Sequence, residues 1–362
     1  MTGPIAIVVG TRPEIIKMAP IVRACAERGA PFLLLHTGQH YSFEMDGVFF
    51  RELELPAPHH NLEVGSGSQA YQIGAIVSGL APILERERPE VLLVEGDTNS
   101  VLAAGLAAHK LGIRVGHVEA GLRSYDRRMP EEINRILTDH LADHLFAPTA
   151  RARDILLGEG VTDDRIHVTG NTVVDEVLRQ RERARDPGRL ARFAVIPGGY
   201  ALATVHRAEN VEHEERLRGI FTGLAATGRA LGIPVLVALH PRTAKKLETL
   251  GPGVDGGVRC LPPLGYLEFL GLHAEAALML TDSGGLQEEA CCLRVPCVTL
   301  RDNTERPESV EVGANVLAGA DPERIVASAR AMRDRARDWA NPFGDGQSGR
   351  RIVDILLGGA GS

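Results

Sequence analysis

The sequence predicts an α/β protein made of two Rossmann-like domains, and three observations support this prediction. Short runs of branched apolar residues alternate with helix-length segments along the chain, which is typical of parallel sheets covered by helices. The alternation restarts after a charged stretch near residue 180. The length of 362 residues is also about twice that of a typical domain, so two separate cores can form.

The first half of the chain contains six apolar runs that we predict as strands: IAIVV, FLLLH, VLLVEGD, RVGHVE, LFAPT and IHVTG. Amphipathic stretches at 69–86 and 131–143 predict helices between them. The second half repeats the pattern with YALATVH, VLVALH, GVRCL, ALMLTD and PCVTL. Between the halves lies QRERARDPGRLARF, whose charge and Pro-Gly pair indicate a boundary. We therefore predict an N-terminal domain over 1–178 and a C-terminal domain over 179–344.

Composition and charge argue against several classes of protein. The net charge of -7 and the lack of a basic stripe with interleaved aromatic residues argue against nucleic acid as a partner. The sequence shows neither a leader pattern nor a run of about 18 apolar residues, so we expect a cytoplasmic protein that does not bind membranes. The five cysteines are scattered and lack zinc spacing, which favours thiols in a reducing compartment and predicts no metal site.

Polar residues follow the predicted strands, where ligands of parallel sheets collect. In the first half they are Arg12, Lys17, Gln39, His40, Asp97, Thr98 and Glu119, and in the second half they are His206, Arg207, His240, Asp282, Ser283 and Arg301. One Asp or Ser in such a position is often only a helix N-cap, and one histidine is often only hydrogen-bonded. Their coincidence at so many strand ends favours a binding site.

The segment TDSGGLQEEA predicts a phosphate site at a strand-to-helix turn. Residues 283–285 present backbone N–H groups there, and the helix dipole favours an anion. Glu289 lies nearly two turns into the helix, where its carboxylate can accept hydrogen bonds from ribose hydroxyls. In RDNTERPES, Arg301 and Arg306 are suited to a second phosphate contact. The alternative interpretations are a capped helix with solvated carboxylates and a surface loop of ion pairs.

The first half carries the candidate catalytic carboxylates. Asp97 and Glu119 follow strands of one sheet, so we expect them to face one site. Clustered carboxylates raise one another's pKa until one serves as an acid or base near neutral pH. Glu131 and Glu132 follow Pro130, and acidic residues in the first turn of a helix explain this pair structurally as well.

Residues 65–70, GSGSQA, formally match the dinucleotide fingerprint G-x-G-x-x-A. They follow only the short NLEV and come after the second predicted strand. About twenty residues further on a strand begins, where the fingerprint requires an acidic strand end. We interpret the segment as a flexible loop and set nicotinamide chemistry aside.

Ten motifs occur in order along the chain: GTRPEIIKMAP, GQH, GDTNS, HVEAGLRS, PEEINR, GNTVVD, HRAEN, HPRT, TDSGGLQEEA and TERPE. Through them the chain resembles the non-hydrolysing UDP-N-acetylglucosamine 2-epimerases over nearly its whole length. The resemblance implies a fold of the glycosyltransferase-B type, with the active site in the cleft between two Rossmann-like domains. It also implies that a C-terminal helix, over about 345–362, packs back on the first domain.

The resemblance further implies a reaction and a set of roles. The reaction is anti elimination of UDP across C1 and C2 to give 2-acetamidoglucal, followed by re-addition with a proton on the other face of C2, and no cofactor is needed. The product would supply ManNAc-type sugars for surface polysaccharide synthesis. The implied catalytic residues are Asp97, Glu119, Glu131 and His206. Substrate and UDP binding falls to Arg12, Lys17, Ser283, Gly284, Gly285, Glu289 and Arg306, and we add as candidate allosteric or sugar contacts Gln39, His40 and His240.

Two segments, HTGQHYSFEMD and SYDRRMPEE, resemble the archaeal-type branch and sister enzymes that epimerise UDP-diacetamido uronic acids. TERPE instead resembles the enzymes that act on GlcNAc. A UDP-2,3-diacetamido uronic acid is therefore the alternative substrate, and a glycosyltransferase of the same fold is a further alternative. A silent nucleotide-sugar sensor is disfavoured because all three carboxylates are present. We expect a homodimer whose partner is a small-molecule nucleotide sugar.

Overall fold

The computed structural model describes residues 3–39, 43–250 and 258–358. The chain forms two compact units. The first comprises Met1–Glu176 together with Phe343–Ser362, and the second comprises Val177–Pro342. Each unit contains one fully parallel sheet with helices, so the predicted α/β fold class is confirmed.

The first unit has a seven-stranded sheet in the order β3-β2-β1-β4-β5-β6-β7. The strands are β1 (Ile5–Val9), β2 (Phe32–His36), β3 (His60–Asn61), β4 (Val91–Glu95), β5 (Arg114–Val118), β6 (His144–Ala147) and β7 (Ile166–Val168). The helices are α1 (Arg12–Glu27), α2 (Phe43–Glu52), α3 (Gln69–Glu87), α4 (Asn99–Lys110), α5 (Pro130–Leu141) and α6 (Ala150–Gly158), and a 3-10 turn spans Asp163–Arg165. The central strand β1 is buried along its whole length, as expected for a parallel strand covered on both faces.

Helix α7 (Thr172–Ala184) leads into the second unit, whose sheet has the order β10-β9-β8-β11-β12-β13. The strands are β8 (Ala201–Thr204), β9 (Val235–Ala238), β10 (Arg259–Leu261), β11 (Leu278–Thr281), β12 (Cys297–Thr299) and β13 (Asn315–Leu317). The helices are α8 (Pro187–Arg192), α9 (Ala208–Val211), α10 (Glu214–Leu231), α11 (Pro241–Leu250), α12 (Tyr266–Ala274), α13 (Gly284–Leu293), α14 (Pro307–Glu311) and α15 (Pro322–Arg333).

The last helix, α16 (Ser348–Leu356), belongs to the first unit and packs against α1. Its buried face includes Ile352, Val353 and Leu356. Gly349 lies so close to α1 that a Cβ atom there would be 2.8 Å from the Pro20 carbonyl carbon. The absence of a side chain at this glycine therefore sets the distance between the two helices.

Every apolar run predicted as a strand contains one, but two short strands were not predicted. Strand β3 consists of two polar residues, and β13 is only three residues long with an asparagine at its start. Neither contains the longer run of apolar residues on which the prediction depended. The segment at 65–70 is not part of a dinucleotide turn, since Ser68 caps α3 by accepting a hydrogen bond from the Tyr71 N–H at 3.3 Å.

The charged stretch between the halves is largely helical and not an open linker. Helix α7 continues to Ala184, and the division between the compact units falls inside it. Pro187 then occupies the first position of α8, where its missing N–H costs nothing, and Asp186 caps that helix by accepting from the Gly188 N–H at 2.8 Å. The charged residues of this stretch are therefore compatible with helices, because charged side chains can lie on the exposed surface of a helix.

Both sheets have the Rossmann strand order, with a topological switch point between β1 and β4 in the first unit and between β8 and β11 in the second. Loops that leave the two strands at such a point run to opposite faces of the sheet and open a crevice for ligands. Arg12 and Asp97 follow the strands at the first switch point, and His206 and Ser283 follow those at the second.

The cysteines form no disulfide. Burial raises the pKa of the Cys25, Cys291 and Cys297 thiols to about 12, whereas Cys260 is exposed. Cys260 lies on the edge strand β10, where one side of the strand is not covered by a neighbour. Among the described residues, no helix has the length and apolar character needed to cross a bilayer.

Candidate active site

The first unit brings a lysine and two glutamates together at the carboxyl ends of β4 and β5. Lys17 Nζ, on α1, donates to Glu95 Oε1 at 2.8 Å and to Glu119 Oε2 at 2.5 Å. The Asn171 amide also donates to Glu119 Oε2, at 2.7 Å. All three charged side chains are buried, so one ammonium group is shared by two carboxylates away from bulk water.

Burial raises the pKa of Glu95 well above its usual range, and Lys17 only partly opposes this effect. The neighbouring Glu119 carboxylate raises the Glu95 pKa further. One cation does not fully compensate two buried anions, so the cluster favours holding a proton. A buried carboxylate that favours its protonated form is one of the groups that can take part in general acid–base chemistry.

The family resemblance implied that Lys17 binds UDP, and the structure places its ammonium group against two carboxylates. Contact with a diphosphate stays a prediction for this residue. Glu95 could not be predicted as a site residue, because as the last residue of an apolar strand it carries no separate signal in the sequence.

Glu14 is a further buried carboxylate that was not among the predicted site residues. Its side chain accepts from the Gly10 N–H at 2.5 Å, from Thr98 Oγ1 at 2.6 Å and from Thr11 Oγ1 at 3.1 Å. Burial raises its pKa to about 7, against the opposing effect of these hydrogen bonds. The spacing of Thr11 and Glu14 is that of a capping box, which was the available signal. Glu14 thereby joins the turn after β1 to the turn after β4.

Asp97 lies in the turn after β4 and is oriented by α5. Arg135 donates to the Asp97 carboxylate, and the Asn134 amide donates to the Asp97 carbonyl oxygen at 3.0 Å. The Asp97 side chain is 27% exposed, so one edge of the carboxylate is accessible to a ligand. The guanidinium of Arg135 also binds Glu132, which fixes the donor that faces Asp97.

The two neighbouring glutamates at the start of α5 differ in burial and in hydrogen bonding. Glu132 is buried and accepts from the Ser124 N–H and hydroxyl, each at 2.9 Å, and from the Tyr125 N–H at 2.8 Å. Glu132 therefore holds the preceding loop. Glu131 is half-buried at the start of the helix, which leaves it the better candidate for contact with a ligand.

The other predicted residues of the first unit have defined surroundings. Arg12 lies with its guanidinium carbon 5.0 Å from the centre of the Phe49 ring. Gln39 Oε1 accepts from the Ser100 N–H at 3.0 Å and from the Ser100 hydroxyl at 2.7 Å, which ties it to the start of α4. His40, predicted as a sugar or allosteric contact, lies outside the described residues.

In the second unit, His206 is held by a buried aspartate. His206 Nδ1 lies 2.7 Å from Asp282 Oδ1, and the carboxylate also accepts from the N–H groups of His206 and Arg207 and from the Asn210 amide. Burial alone would raise the Asp282 pKa, but the His206 charge and these donors lower it to about 2. The ionised carboxylate orients the imidazole, whose side chain is 36% exposed.

The predicted phosphate turn starts α13. Ser283 donates its N–H to Thr281 Oγ1 at 3.0 Å, and its contact with a phosphate stays a prediction. Gly284 and Gly285 are the first two helical residues, whose N–H groups have no acceptor within the helix. A Cβ atom at Gly284 would lie 2.6 Å from Arg306 Nη1, so the glycine lets the guanidinium approach the helix N-terminus.

Glu289 and Arg301 differ in their surroundings. Glu289 is buried and its Oε2 atom accepts no hydrogen bond from the described part of the chain, while His273 Nδ1 lies 3.6 Å away. Arg301, proposed from sequence as a second phosphate donor, is instead buried against Glu305, with contacts of 2.9 and 2.7 Å. Its guanidinium also donates to Asn303 Oδ1 at 2.9 Å, so Arg301 holds the loop before Arg306.

His240 lies with its ring centre 6.2 Å from that of His206, so two histidines meet at the carboxyl ends of β8 and β9. Residues 3–39, 43–250 and 258–358 contain no group of three or more His, Cys, Asp or Glu side chains arranged to hold a metal ion.

The chain is similar in sequence and in fold to known proteins. A sequence model described as UDP-N-acetylglucosamine 2-epimerase matches residues 23–357. The UDP-N-acetylglucosamine 2-epimerase of Methanocaldococcus jannaschii is 49% identical over 362 residues, with 98% of this chain and 99% of that protein covered. The crystal structure of UDP-GlcNAc 2-epimerase from the same organism, in complex with UDP-GlcNAc and UDP, has a TM-score of 0.92 at 48% identity and covers 98% of this chain and 100% of its own.

A relative with a different substrate also aligns along most of the chain. The UDP-2,3-diacetamido-2,3-dideoxy-D-glucuronate 2-epimerase of Pseudomonas aeruginosa is 40% identical, with 96% of this chain and 98% of that protein covered. Since the family match spans well over half of the chain and both relatives align over nearly all of it, the chain belongs to the UDP-N-acetylglucosamine 2-epimerase family.

Proposed function

We propose that this protein interconverts UDP-GlcNAc and UDP-ManNAc by elimination and re-addition of UDP. A base removes the proton from C2, the C1–O bond to UDP breaks, and the C–H electron pair forms the C1–C2 double bond of 2-acetamidoglucal. UDP then adds back to C1 while a proton is delivered to the opposite face of C2. The observation that carries the proposal is the buried Lys17–Glu95–Glu119 cluster in a chain of this family.

Proton transfer at C2 needs an acid and a base on opposite faces of the sugar. We assign these tasks to Asp97, Glu119 and Glu131. Lys17 and Asn171 fix the Glu119 carboxylate, and Arg135 fixes that of Asp97, so each is held by a cationic or amide donor. Such preorganisation lowers the cost of orienting a proton carrier in the transition state.

The second unit would hold the leaving group. Gly284 and Gly285 offer N–H groups at the start of α13, and Arg306 lies beside that helix end, which suits a diphosphate. Asp282 orients His206 for a contact with developing negative charge on the diphosphate. We assign ribose binding to Glu289, because its buried Oε2 atom lacks a hydrogen-bond donor among the described residues and ribose hydroxyls would supply one.

The substrate is tested by offering two sugar nucleotides to the purified protein without added metal or nicotinamide. Proton NMR should show anomeric signals of UDP-ManNAc growing from UDP-GlcNAc until both are present at equilibrium. The matched arm uses a UDP-2,3-diacetamido-2,3-dideoxy uronic acid, the substrate class named for the P. aeruginosa relative. Turnover of the uronic acid alone would replace the proposed substrate, and turnover of neither would reject the epimerase proposal.

A requirement for added NAD would also reject the proposed mechanism, because elimination and re-addition transfer no hydride. A sugar acceptor should not be required either, which distinguishes an epimerase from a glycosyltransferase of the same fold. The homodimer and the role in surface polysaccharide synthesis stay predictions.

A further inference from the structure

His117 is a buried histidine whose two ring nitrogens both face oxygen atoms. It lies in β5 and is 0% exposed. Its Nδ1 atom is 2.6 Å from Asp139 Oδ1 on α5, and its Nε2 atom is 2.8 Å from the carbonyl oxygen of Gly96. His117 is assigned neither to proton transfer at C2 nor to UDP binding, although it lies beside the turn that carries Asp97.

The nature of the two acceptors determines where the protons are. A carbonyl oxygen only accepts, so Nε2 must carry a proton to bond to Gly96. Asp139 Oδ2 accepts from the Arg123 guanidinium and from the Gly121 N–H, which stabilise the ionised carboxylate, so Oδ1 also only accepts. Nδ1 must then carry a proton as well. The geometry thus requires the imidazolium form, with one N–H directed at each oxygen.

The surrounding charges compensate this cation. Asp139 Oδ2 pairs with Arg123 Nη1 at 2.7 Å and accepts from the Gly121 N–H at 3.2 Å. The Arg123 guanidinium binds Glu159 through two contacts, of 2.9 and 2.5 Å. Positive and negative groups therefore alternate from His117 to Glu159, whose side chain is 29% exposed. No member of the series is buried without an opposite charge, so the desolvation cost of the imidazolium is compensated by its neighbours.

The bond to Gly96 acts on the turn that carries Asp97. Gly96 has φ of 86°, in the left-handed region that favours glycine, and its N–H donates to the Val118 carbonyl at 3.1 Å. His117 fixes the carbonyl oxygen of the same residue, and Asn134 fixes the next carbonyl, that of Asp97. The peptide groups on both sides of the Asp97 Cα atom are thus held by side-chain donors.

We propose that His117 is a positioning residue, an imidazolium that holds the turn at residues 96–98 and thereby sets the direction of the Asp97 carboxylate. The inference rests on the proposed function, because it takes Asp97 to act on the sugar. It predicts that loss of the Nε2–H to Gly96 bond lowers kcat while substrate binding is unchanged.

Three variants test the inference, and they differ in whether the side chain at position 117 can donate a hydrogen bond to the Gly96 carbonyl. In His117→Gln, the new NH2 group is drawn to the ionised Asp139 and its oxygen is left facing the Gly96 carbonyl, so kcat should fall about 10-fold to 100-fold with KM nearly unchanged. In Asp139→Asn, a neutral imidazole still donates from Nε2 to Gly96, so kcat should fall much less. In the double variant, the side-chain NH2 of the new asparagine donates to the side-chain oxygen of the new glutamine. The glutamine NH2 group then faces the Gly96 carbonyl, so much of kcat should return.

The matched control is His144→Gln, which makes the same change on the neighbouring strand β6 without a hydrogen bond to the Asp97 turn, and it should keep wild-type kcat. Equal losses in the double variant and in His117→Gln would overturn the positioning role. The wild-type protein supplies a readout that needs no activity: nitrogen-15 NMR should show a proton on each ring nitrogen of His117 at neutral pH. One bare ring nitrogen would refute the inference, whereas a wild type that does not epimerise UDP-GlcNAc would refute the proposed function instead.

Discussion

Glu119 adopts a left-handed backbone conformation, with φ of 68°, that non-glycine residues rarely adopt. Its N–H and that of Ala120 both donate to the Phe146 carbonyl, at 3.1 and 3.2 Å, which turns the chain sharply after β5. This conformation costs about 1 kcal/mol. The turn brings the carboxylate to Lys17 and Asn171, so the strain is offset by contacts that orient a proposed catalytic group.

Replacing Glu119 by glutamine removes the charge and nearly preserves the shape. We expect kcat to fall about 100-fold to 10,000-fold, because a general acid or base contributes that much, while the dissociation constant of UDP is unchanged. In heavy water the wild type should place deuterium at C2 of both epimers, and Glu119→Gln should slow this exchange. The measurements are steady-state kinetics, calorimetry with UDP, and proton NMR.

A matched control is Glu63→Gln, since Glu63 also has a left-handed conformation, with φ of 52°, but lies exposed on a loop. It should keep wild-type kcat. A near wild-type rate of epimerisation in Glu119→Gln would remove this carboxylate from the mechanism even if the fold and the UDP site are as proposed.

Arg306 is the residue on which we test the UDP site. Arg306→Ala should weaken UDP binding by about 1.5 to 3 kcal/mol, the worth of a hydrogen bond to a charged group. Gly284→Ala should weaken it as well, because the added Cβ would displace the guanidinium. Calorimetry with UDP measures both, and Arg218→Ala, which removes a surface ion pair with Glu214, is the control. Unchanged affinity in folded Arg306→Ala would assign this arginine to structure alone.

At the scale of elements, the start of α1 depends on a carboxylate that titrates near neutral pH. Glu14 accepts hydrogen bonds from the turns after β1 and β4, and burial raises its pKa from 4.5 to about 7. The unfolded chain therefore releases this proton at lower pH than the folded protein does. The contribution of Glu14 to stability is fully present below about pH 4.5 and is lost as the pH rises through about 7.

This linkage predicts how Glu14→Gln changes stability with pH. The glutamine does not titrate, so the stability of wild type relative to the variant should fall by up to about 3 kcal/mol between about pH 4.5 and about pH 8. Urea unfolding of both proteins across this range measures the difference. A difference that is the same at every pH would show that Glu14 stays ionised in the folded protein.

At the scale of the whole molecule, the chain leaves the first unit through α7 and returns to it at Phe343. The Asn171 N–H donates to the Phe343 carbonyl at 2.7 Å, and the Gly349 N–H donates to Asp175 Oδ1 at 2.8 Å. Asn171 also holds Glu119, so the segment that receives the returning chain carries a residue of the carboxylate cluster. Packing of the last helix and order in the candidate site are thereby connected within one unit.

Two glycine-to-alanine changes test the importance of this return. Gly349→Ala should destabilise the protein by about 1 to 3 kcal/mol, because its Cβ would overlap α1 near Pro20 and force the helices apart. Gly74→Ala, in the middle of α3 with no atom within 4 Å of the added Cβ, should stabilise it by about 0.5 to 1 kcal/mol. Urea unfolding compares the two variants. Equal effects would mean that α16 does not pack tightly on α1.

The sequence by itself determined the two parallel sheets and the neighbourhood of the site. Both follow from local patterns: buried parallel strands need apolar runs such as IAIVV, and ligand-binding residues come where those runs end. Asp97, Glu119, His206 and Ser283 could be selected on that basis alone. The two short strands could not, because two or three residues carry no recognisable pattern.

Only the tertiary structure decided which charges meet. Lys17 finds Glu95 and Glu119 at separations of 78 and 102 residues, and no local pattern specifies such partners. The raised pKa of Glu14 and the two acceptors around His117 likewise depend on how completely packing removes water, and on which oxygen atoms it leaves within reach. Desolvation and long-range pairing are properties of the folded chain, so residues of ordinary appearance in the sequence acquire their chemistry only there.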